Sequence, residues 1–186
     1  MRKIIVNVAV TLDGFIEGPN GEIDWINNDA AAEMGEGTPF DQFLAGVDAV
    51  FYGRISYDLW GQFQPGNNAS AAEKSLWQSV HSKTKYVFSN NKKEDGKAIF
   101  INSPITERVK EIKQEPGKNI WLYGGGSLIT SFMNEDLVDA YQLAVYPVIL
   151  GEGKPLFSNI NKHSNLILKE INSSKSGVVF MNYERV

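Results

Sequence analysis

The 186-residue sequence predicts an α/β fold: a mostly parallel sheet of about eight strands, about four helices and an antiparallel C-terminal edge. Three observations carry this expectation. Strand-like and helix-like patterns alternate along the chain and give way to strands alone from Ala140 onward. The first strand, residues 3–11, is nearly continuous in Ile4, Ile5, Val6, Val8 and Val10, the pattern of a strand buried on both faces. Two glycine turns, Gly53-Arg54-Ile55-Ser56-Tyr57 and Gly124-Gly125-Gly126-Ser127, each follow an apolar strand and precede a helical pattern.

The elements follow in order. Residues 13–39 are rich in Gly, Asn, Asp and Glu, with a short turn over 29–33, and read as a long loop, functional or mobile. Thr38-Pro39 starts a helix, with Thr as cap and Pro at the first helical position, and Phe40, Phe43, Leu44 and Val47 share its inner face. Residues 48–52 return as a strand, followed by the first glycine turn and a short helix through Tyr57, Leu59 and Trp60. Residues 71–80 are helical, with Ala72, Leu76 and Val80 at four-residue steps. Strands at 85–88 and 98–101 precede a second cap-and-proline start, Ser103-Pro104, with Ile105, Val109 and Ile112 facing inward. Residues 119–123 form the strand before the second turn, and Leu128, Ile129, Phe132 and Met133 the apolar face of the helix after it. Residues 140–150 are a strand broken by Pro147, Gly151-Glu152-Gly153 is a turn, and 166–171 and 178–183 pair around Asn172-Ser173-Ser174. Neither an internal repeat nor a linker interrupts the pattern, so one domain spans residues 1–186.

Composition narrows the function. Hydrophobic residues make up 42 %, enough for a core, and the net charge of −4 provides no global field for nucleic acid or an anionic membrane. With no cysteine and two histidines, His81 and His163, thiolate chemistry and the usual zinc spacings are excluded, and no metal site is expected. A serine elbow is missing, because Gly125-Gly126-Ser127 continues as Leu128-Ile129, and the phosphate loop of nucleotide hydrolases lacks its lysine. The apolar start reads as a strand instead of a signal peptide, and no run reaches membrane-spanning length, so a cytoplasmic protein is expected.

Hydride transfer passes these exclusions, because the cofactor carries the chemistry and the protein holds it. A strand-to-helix turn exposes unpaired N–H groups at the positive end of a helix, a place for phosphate. Two such turns, one with Arg54, predict a dinucleotide with phosphates at both ends of a groove. Arg54 is placed to meet an adenosine 2′-phosphate and so select NADP, Ser56 adds a hydroxyl or a cap, and Gly124, Gly125 and Gly126 admit the pyrophosphate or ribose. The same glycines also serve as tight turns, with Arg54 a surface charge.

At these residues the chain resembles the dihydrofolate reductase-like superfamily, and within it the C-terminal reductase domain of the bifunctional riboflavin-biosynthesis enzyme (RibD C-terminal). The likeness runs over essentially the whole chain: Thr11-Leu12-Asp13-Gly14-Phe15-Ile16, Gly53-Arg54-Ile55-Ser56-Tyr57-Asp58-Leu59-Trp60, Tyr123-Gly124-Gly125-Gly126, and Tyr146-Pro147-Val148-Ile149-Leu150-Gly151-Glu152-Gly153-Lys154-Pro155-Leu156-Phe157. The resemblance implies a three-layer α/β/α fold, NADPH, and reduction of a pyrimidine or pteridine heterocycle, as by 5-amino-6-(5-phosphoribosylamino)uracil reductase or dihydrofolate reductase. It implies cofactor contacts at Ala9, Ile16, Gly53, Arg54, Ser56, Ser89, Asn90, Gly124, Gly125, Gly126, Ser127 and Leu128, and substrate contacts at Trp25, Phe40 and Tyr123. Asp24, Asp29 and Asp41 are the candidate proton donors, and a homodimer is implied. Two positions depart from the riboflavin-reductase pattern: Tyr123 stands where it has a glutamate, and Phe15 where it has a lysine. These departures keep open a second reading, a non-catalytic NADP(H)-binding protein that retains the fold.

Overall fold

A computed structural model describes residues 1–26, 38–90, 95–102 and 104–186. Ten strands are described: β1 (Ile4–Thr11), β2 (Phe15–Glu17), β3 (Val47–Gly53), β4 (Thr84–Phe88), β5 (Ile99–Ile101), β6 (Asn119–Gly124), β7 (Ala140–Tyr146), β8 (Lys154–Pro155), β9 (Leu166–Ser173) and β10 (Val179–Arg185). The described helices are α1 (Pro39–Ala45), α2 (Arg54–Ser56, running on as a π-helical turn over Tyr57–Gly61), α3 (Ala71–His81), α4 (Ile105–Gln114) and α5 (Gly126–Asn134).

Eight strands form one sheet in the order β5-β4-β3-β6-β1-β7-β10-β9. All pairs from β5 to β7 are parallel, and β10 is antiparallel to both β7 and β9. The period-two alternation of side chains sorts the core into two layers. Ile4, Val6, Phe51, Ile120 and Leu122 face Val109 and Ile112 of α4 and Ile129 and Phe132 of α5. Ile5, Val50, Tyr52, Val87 and Trp121 face Phe43 and Leu44 of α1 and Val80 of α3. This is the three-layer arrangement. Leu122 and Phe132 are fully buried, and truncating either to alanine costs about 2–5 kcal/mol by lost transfer energy and cavity formation.

Three local differences from the sequence pattern have physical causes. β1 is buried on both faces over Ile4, Ile5 and Val6, but Asn7 and Ala9 are only half-buried, because no described helix covers the α1/α3 face beyond this point; Val8, half-buried on the other face, packs against the α4/α5 core. β7 stops at Tyr146, directly before Pro147, which has no N–H for the ladder. The β9–β10 hairpin turns later than the sequence predicts: Asn172 and Ser173 pair within β9, and the reversal is closed by the Ser174 N–H donating to the Val178 carbonyl at 2.9 Å. The expected turn over 29–33 and the cap at Ser103 lie outside the described residues.

Candidate functional site

Because β1, β3, β4, β6 and β7 run parallel, their carboxyl ends share one edge of the sheet. The chain steps outward from β3 to β4 and β5, then returns to β6 beside β3 and passes over β1 to β7. Such a reversal opens a crevice at the carboxyl ends, the usual ligand position in α/β sheets. Both glycine turns lie there. They are not at opposite ends of a groove: β3 and β6 are neighbours, and the turns touch. A methyl group on Gly53 would lie 3.5 Å from the Gly124 carbonyl oxygen and 3.7 Å from Leu128 Cβ; one on Gly125 would lie 3.2 Å from Ser56 Oγ. Gly124 has φ +97°, and a side chain there would strike Ile129, so only glycine fits the turn. The Gly124–Gly125 peptide is cis.

α5 starts at Gly125, whose carbonyl accepts from the N–H groups of Leu128 and Ile129 at 2.9 and 3.1 Å, and no side chain caps this start. The backbone N–H groups of the first turn, at Gly126 and Ser127, therefore remain available at the positive end of the helix.

A second pair of motifs closes the same edge. The Asp13 carboxylate accepts from Thr11 Oγ1 at 2.6 Å and from the N–H groups of Leu150 and Gly151 at 3.1 and 2.8 Å. The Thr11 hydroxyl above all, helped by these two N–H groups and its own backbone, holds Asp13 below the usual carboxylate range and outweighs the opposing desolvation. β2 pairs with β8, Lys154 is ion-paired with Glu17, and the Leu156 N–H donates to Gly14 O at 2.9 Å. This clamp delivers Ile16 to the glycine turns: a methyl on Gly126 would lie 3.8 Å from Ile16 Cδ1 and 3.5 Å from Pro155 O. Sequence reasoning singled out both motifs but missed Asp13 as their connection. Its only trace is the Asp-Gly pair after the strand, whose partner lies 137 residues away.

The remaining residues expected at the cofactor fall into two groups. Arg54 follows Gly53, its Nε donates to Asp58 Oδ2 at 2.8 Å, and its guanidinium lies 5.5 Å from the centre of the Phe100 ring. Ser89 and Asn90 follow β4, whose Phe88 is in register with Gly53, so they stand one strand beyond Arg54 on the same edge. Ala9 lies on the other flank, packed with Trp25, Tyr146, Ala144 and Phe180.

The residues expected at a substrate are spread over the α1/α3 face. Trp25 packs edge-on against Tyr146, with centroids 5.4 Å apart, and its buried indole N–H has no partner among the described residues. Phe40 packs against Trp121 at 5.6 Å and Phe43 at 6.0 Å. Tyr123 packs at a tilt against Trp121 and Tyr52, with centroids 5.0 Å away in each case. Burial, and then the Glu17 carboxylate, push the Tyr123 hydroxyl well above the usual phenol range, so it stays protonated. Burial does the same to Tyr52, whose hydroxyl has no described partner.

The candidate acids are not gathered at one point. Asp24 is exposed. Asp41 closes the capping box of α1, accepting from the Thr38 N–H at 3.0 Å and the Thr38 hydroxyl at 2.8 Å, and lines a cleft between α1 and α3. Asp29 lies outside the described residues. Among the described residues no cluster of His, Cys, Asp or Glu could hold a metal ion, and no described helix is long and apolar enough to cross a membrane.

A parallel sheet between two helix layers, with paired glycine turns at its carboxyl edge, defines a dihydrofolate reductase-like architecture. A dihydrofolate reductase from Enterococcus faecalis, complexed with NADP(H), superimposes with a TM-score of 0.61 at 14 % identity, covering 98 % of this chain and 96 % of that one. Residues 2–180 match the RibD C-terminal domain, and the chain belongs to that family, a reductase-type one. The chain is 52 % identical to the uncharacterized protein YyaP of Bacillus subtilis (strain 168) over 183 residues, 98 % of this chain and 94 % of that protein. The crystal structure of a candidate riboflavin biosynthesis protein from Shewanella sp. PV-4 has a TM-score of 0.78 at 22 % identity, with 99 % of each chain covered.

Proposed function

We propose that this chain is a single-domain, NADPH-dependent reductase acting on a planar nitrogen heterocycle of the pyrimidine or pteridine type. The observation that carries the reading is the meeting of Gly53, Gly125 and Gly126 with Ser56, Leu128 and Ile16 in a surface where the glycines leave the backbone bare, beside the uncapped start of α5. Such a surface lets a phosphate-bearing ligand approach backbone N–H groups directly. In this reading the N–H groups of Gly126 and Ser127 hold the pyrophosphate, and Arg54, with Ser89 and Asn90 beside it, takes the adenosine end and its 2′-phosphate. NADPH, when bound, supplies the hydride. The chain's residues do the rest. Ala9 and Ile16 form an apolar wall at the crevice, and Trp25, Phe40 and Tyr123 offer rings to a flat substrate. The protein works in the cytoplasm as a homodimer. The outermost strand supports the dimer, since Leu166, Ile167, Leu168 and Ile171 of β9 are all exposed.

The test is consumption of NADPH with a panel containing dihydrofolate and aminopyrimidine ribosyl substrates. Turnover of at least one is expected. One observation favours a second reading, a non-catalytic NADP(H)-binding protein: among the described acids Asp24 is exposed and Asp41 is taken up in a helix cap. NADPH binding with no turnover on any panel member would select that reading.

A further inference from the structure

The amino edge of the sheet, opposite the glycine turns, carries charges that are matched along most of its length. Arg2 is ion-paired with Asp48, Lys3 with Glu184 and Lys113 with Asp139. The outer end of this edge is different. β5 is the outermost strand, and it first pairs with β4 where Ile99 meets Tyr86. Before the two strands join, a pocket of about 240 Å³ opens between residues 83–85 and 96–99, with Lys83, Lys85 and Lys97 in its lining. The Lys83 ammonium donates to the Leu44 and Val47 carbonyls at 2.7 and 3.0 Å, which fixes it in place and leaves one of its three donors over. Lys85 is half-buried beside Val50 of β3. The ammonium groups of Lys85 and Lys97 make no hydrogen bond or ion pair among the described residues. Burial holds Lys85 below the usual ammonium range, with Asp95 opposing and Lys97 adding to it. Burial does the same to Lys83, with Lys118 adding and Asp48 opposing. Asp95 is not part of the lining, and its carboxylate is taken by the Tyr57 hydroxyl at 2.7 Å and the Lys97 N–H at 2.9 Å. An exposed lysine needs no partner, but a fixed and a half-buried ammonium around one pocket create a positive field that an anion relieves. Gly96 leaves the rim bare, with open space where a side chain would stand.

We propose that this pocket is a second anion site, separate from the glycine turns, and that it takes a phosphate or phosphomonoester dianion. Lysines act on phosphate as point charges, and the three terminal oxygens of a phosphate can meet three ammonium groups. A carboxylate has too few oxygens to match all three. The Thr84 hydroxyl adds a donor to the lining, and Ile99, which is exposed, offers an apolar contact to the organic part of a phosphomonoester. The volume falls below the roughly 300–1,000 Å³ of a pocket for a drug-sized ligand or a cofactor, which points to a small ligand. The site is also remote from the cofactor crevice. Thr84 and Phe88 bound β4, about 13 Å apart along the strand, and Phe88 is the residue in register with Gly53. The proposal is independent of the reductase reading.

The experiment is isothermal titration of the intact protein with inorganic phosphate and with phenyl phosphate, at constant ionic strength set with chloride. NADPH affinity is measured on the same preparations. The wild type should bind at least one probe with a Kd of about 5 mM or tighter. Lys85→Met and Lys97→Met remove a charge but keep an apolar stem, and each should weaken that binding about fivefold or more. NADPH affinity in both variants should stay within about twofold of wild type. If Lys85→Met fails to fold, Lys97→Met gives the same reading. Tighter binding of phenyl phosphate would assign the site to a phosphorylated metabolite, and tighter binding of phosphate to the free ion; both uphold the proposal. It is overturned if neither probe gives saturable heat, or if the variants bind as the wild type does, which would move the anion to the glycine turns. It is equally overturned if NADPH weakens in parallel, which would make the pocket part of the cofactor site. A wild type that binds phosphate through these lysines but binds no NADPH would refute the cofactor reading and uphold this one.

Discussion

Two kinds of helix start occur in this molecule. α1 and α3 begin at Thr38 and Ser70, whose hydroxyls accept from the N–H groups of Asp41 and Glu73, both at 3.1 Å. α5 begins at Gly125, which has no side chain to offer and no other group capping it. The first kind satisfies its own backbone and stabilises the helix. The second leaves donors at the sheet edge where the two glycine turns meet. α2 and α4, starting at Gly53 and Pro104, also lack a side-chain cap, so the contrast lies in place as well as in capping: α2 and α5 begin uncapped at the two glycine turns.

The largest effect is expected where the open start is distorted. Gly124→Ala forces a side chain into a backbone at φ +97° and against Ile129. It should cost about 1–3 kcal/mol of stability and weaken NADPH by about a hundredfold, read by thermal melting and by titration. An unchanged NADPH affinity would remove the turn from the cofactor site. Arg54→Ala comes next. The guanidinium is held by Asp58 and Phe100, so its loss should weaken NADPH about tenfold and leave NADH alone. Equal losses for both cofactors would disprove a 2′-phosphate contact.

The capped starts should behave the other way. Ser70→Ala should cost about 1 kcal/mol, a drop of about 2–4 °C in melting temperature, with NADPH affinity intact. A loss of NADPH affinity would break the contrast. The smallest effect concerns the clamp. Asp13 has a depressed pKa in the folded protein, so its contribution is complete above the ordinary value of 3.8 and fades as pH falls through the lower folded value. Asp13→Asn should therefore lower the melting temperature at pH 7, with the gap to wild type closing only below about pH 4. A gap that closes near neutral pH would assign the clamp to another group.

The fold was largely legible because its signals are local. The apolar runs of β1, β3 and β6, the Thr38-Pro39 start and the antiparallel end all follow from residue order, and the motifs pointed to the family. What stayed hidden depends on register and on contacts between distant segments. The two glycine turns read as opposite ends of a groove until the pairing of β3 with β6 put Gly53 against Gly124. Asp13 needs Leu150 and Gly151 to have a role, and Asn7 looks like one polar residue in an apolar strand until Gln142 comes beside it. Asp41 illustrates the converse. Its position three residues after Thr38 already spelled a capping box, a local role that competes with a catalytic one.

The central claim, that the paired glycine turns hold a phosphorylated nicotinamide cofactor, is tested most directly by titrating the intrinsic tryptophan fluorescence with NADPH and, separately, NADH. Trp25 and Trp121 both lie on the face next to the crevice. The account predicts a saturable change with NADPH and binding about tenfold weaker for NADH. No saturable change with either cofactor would contradict it.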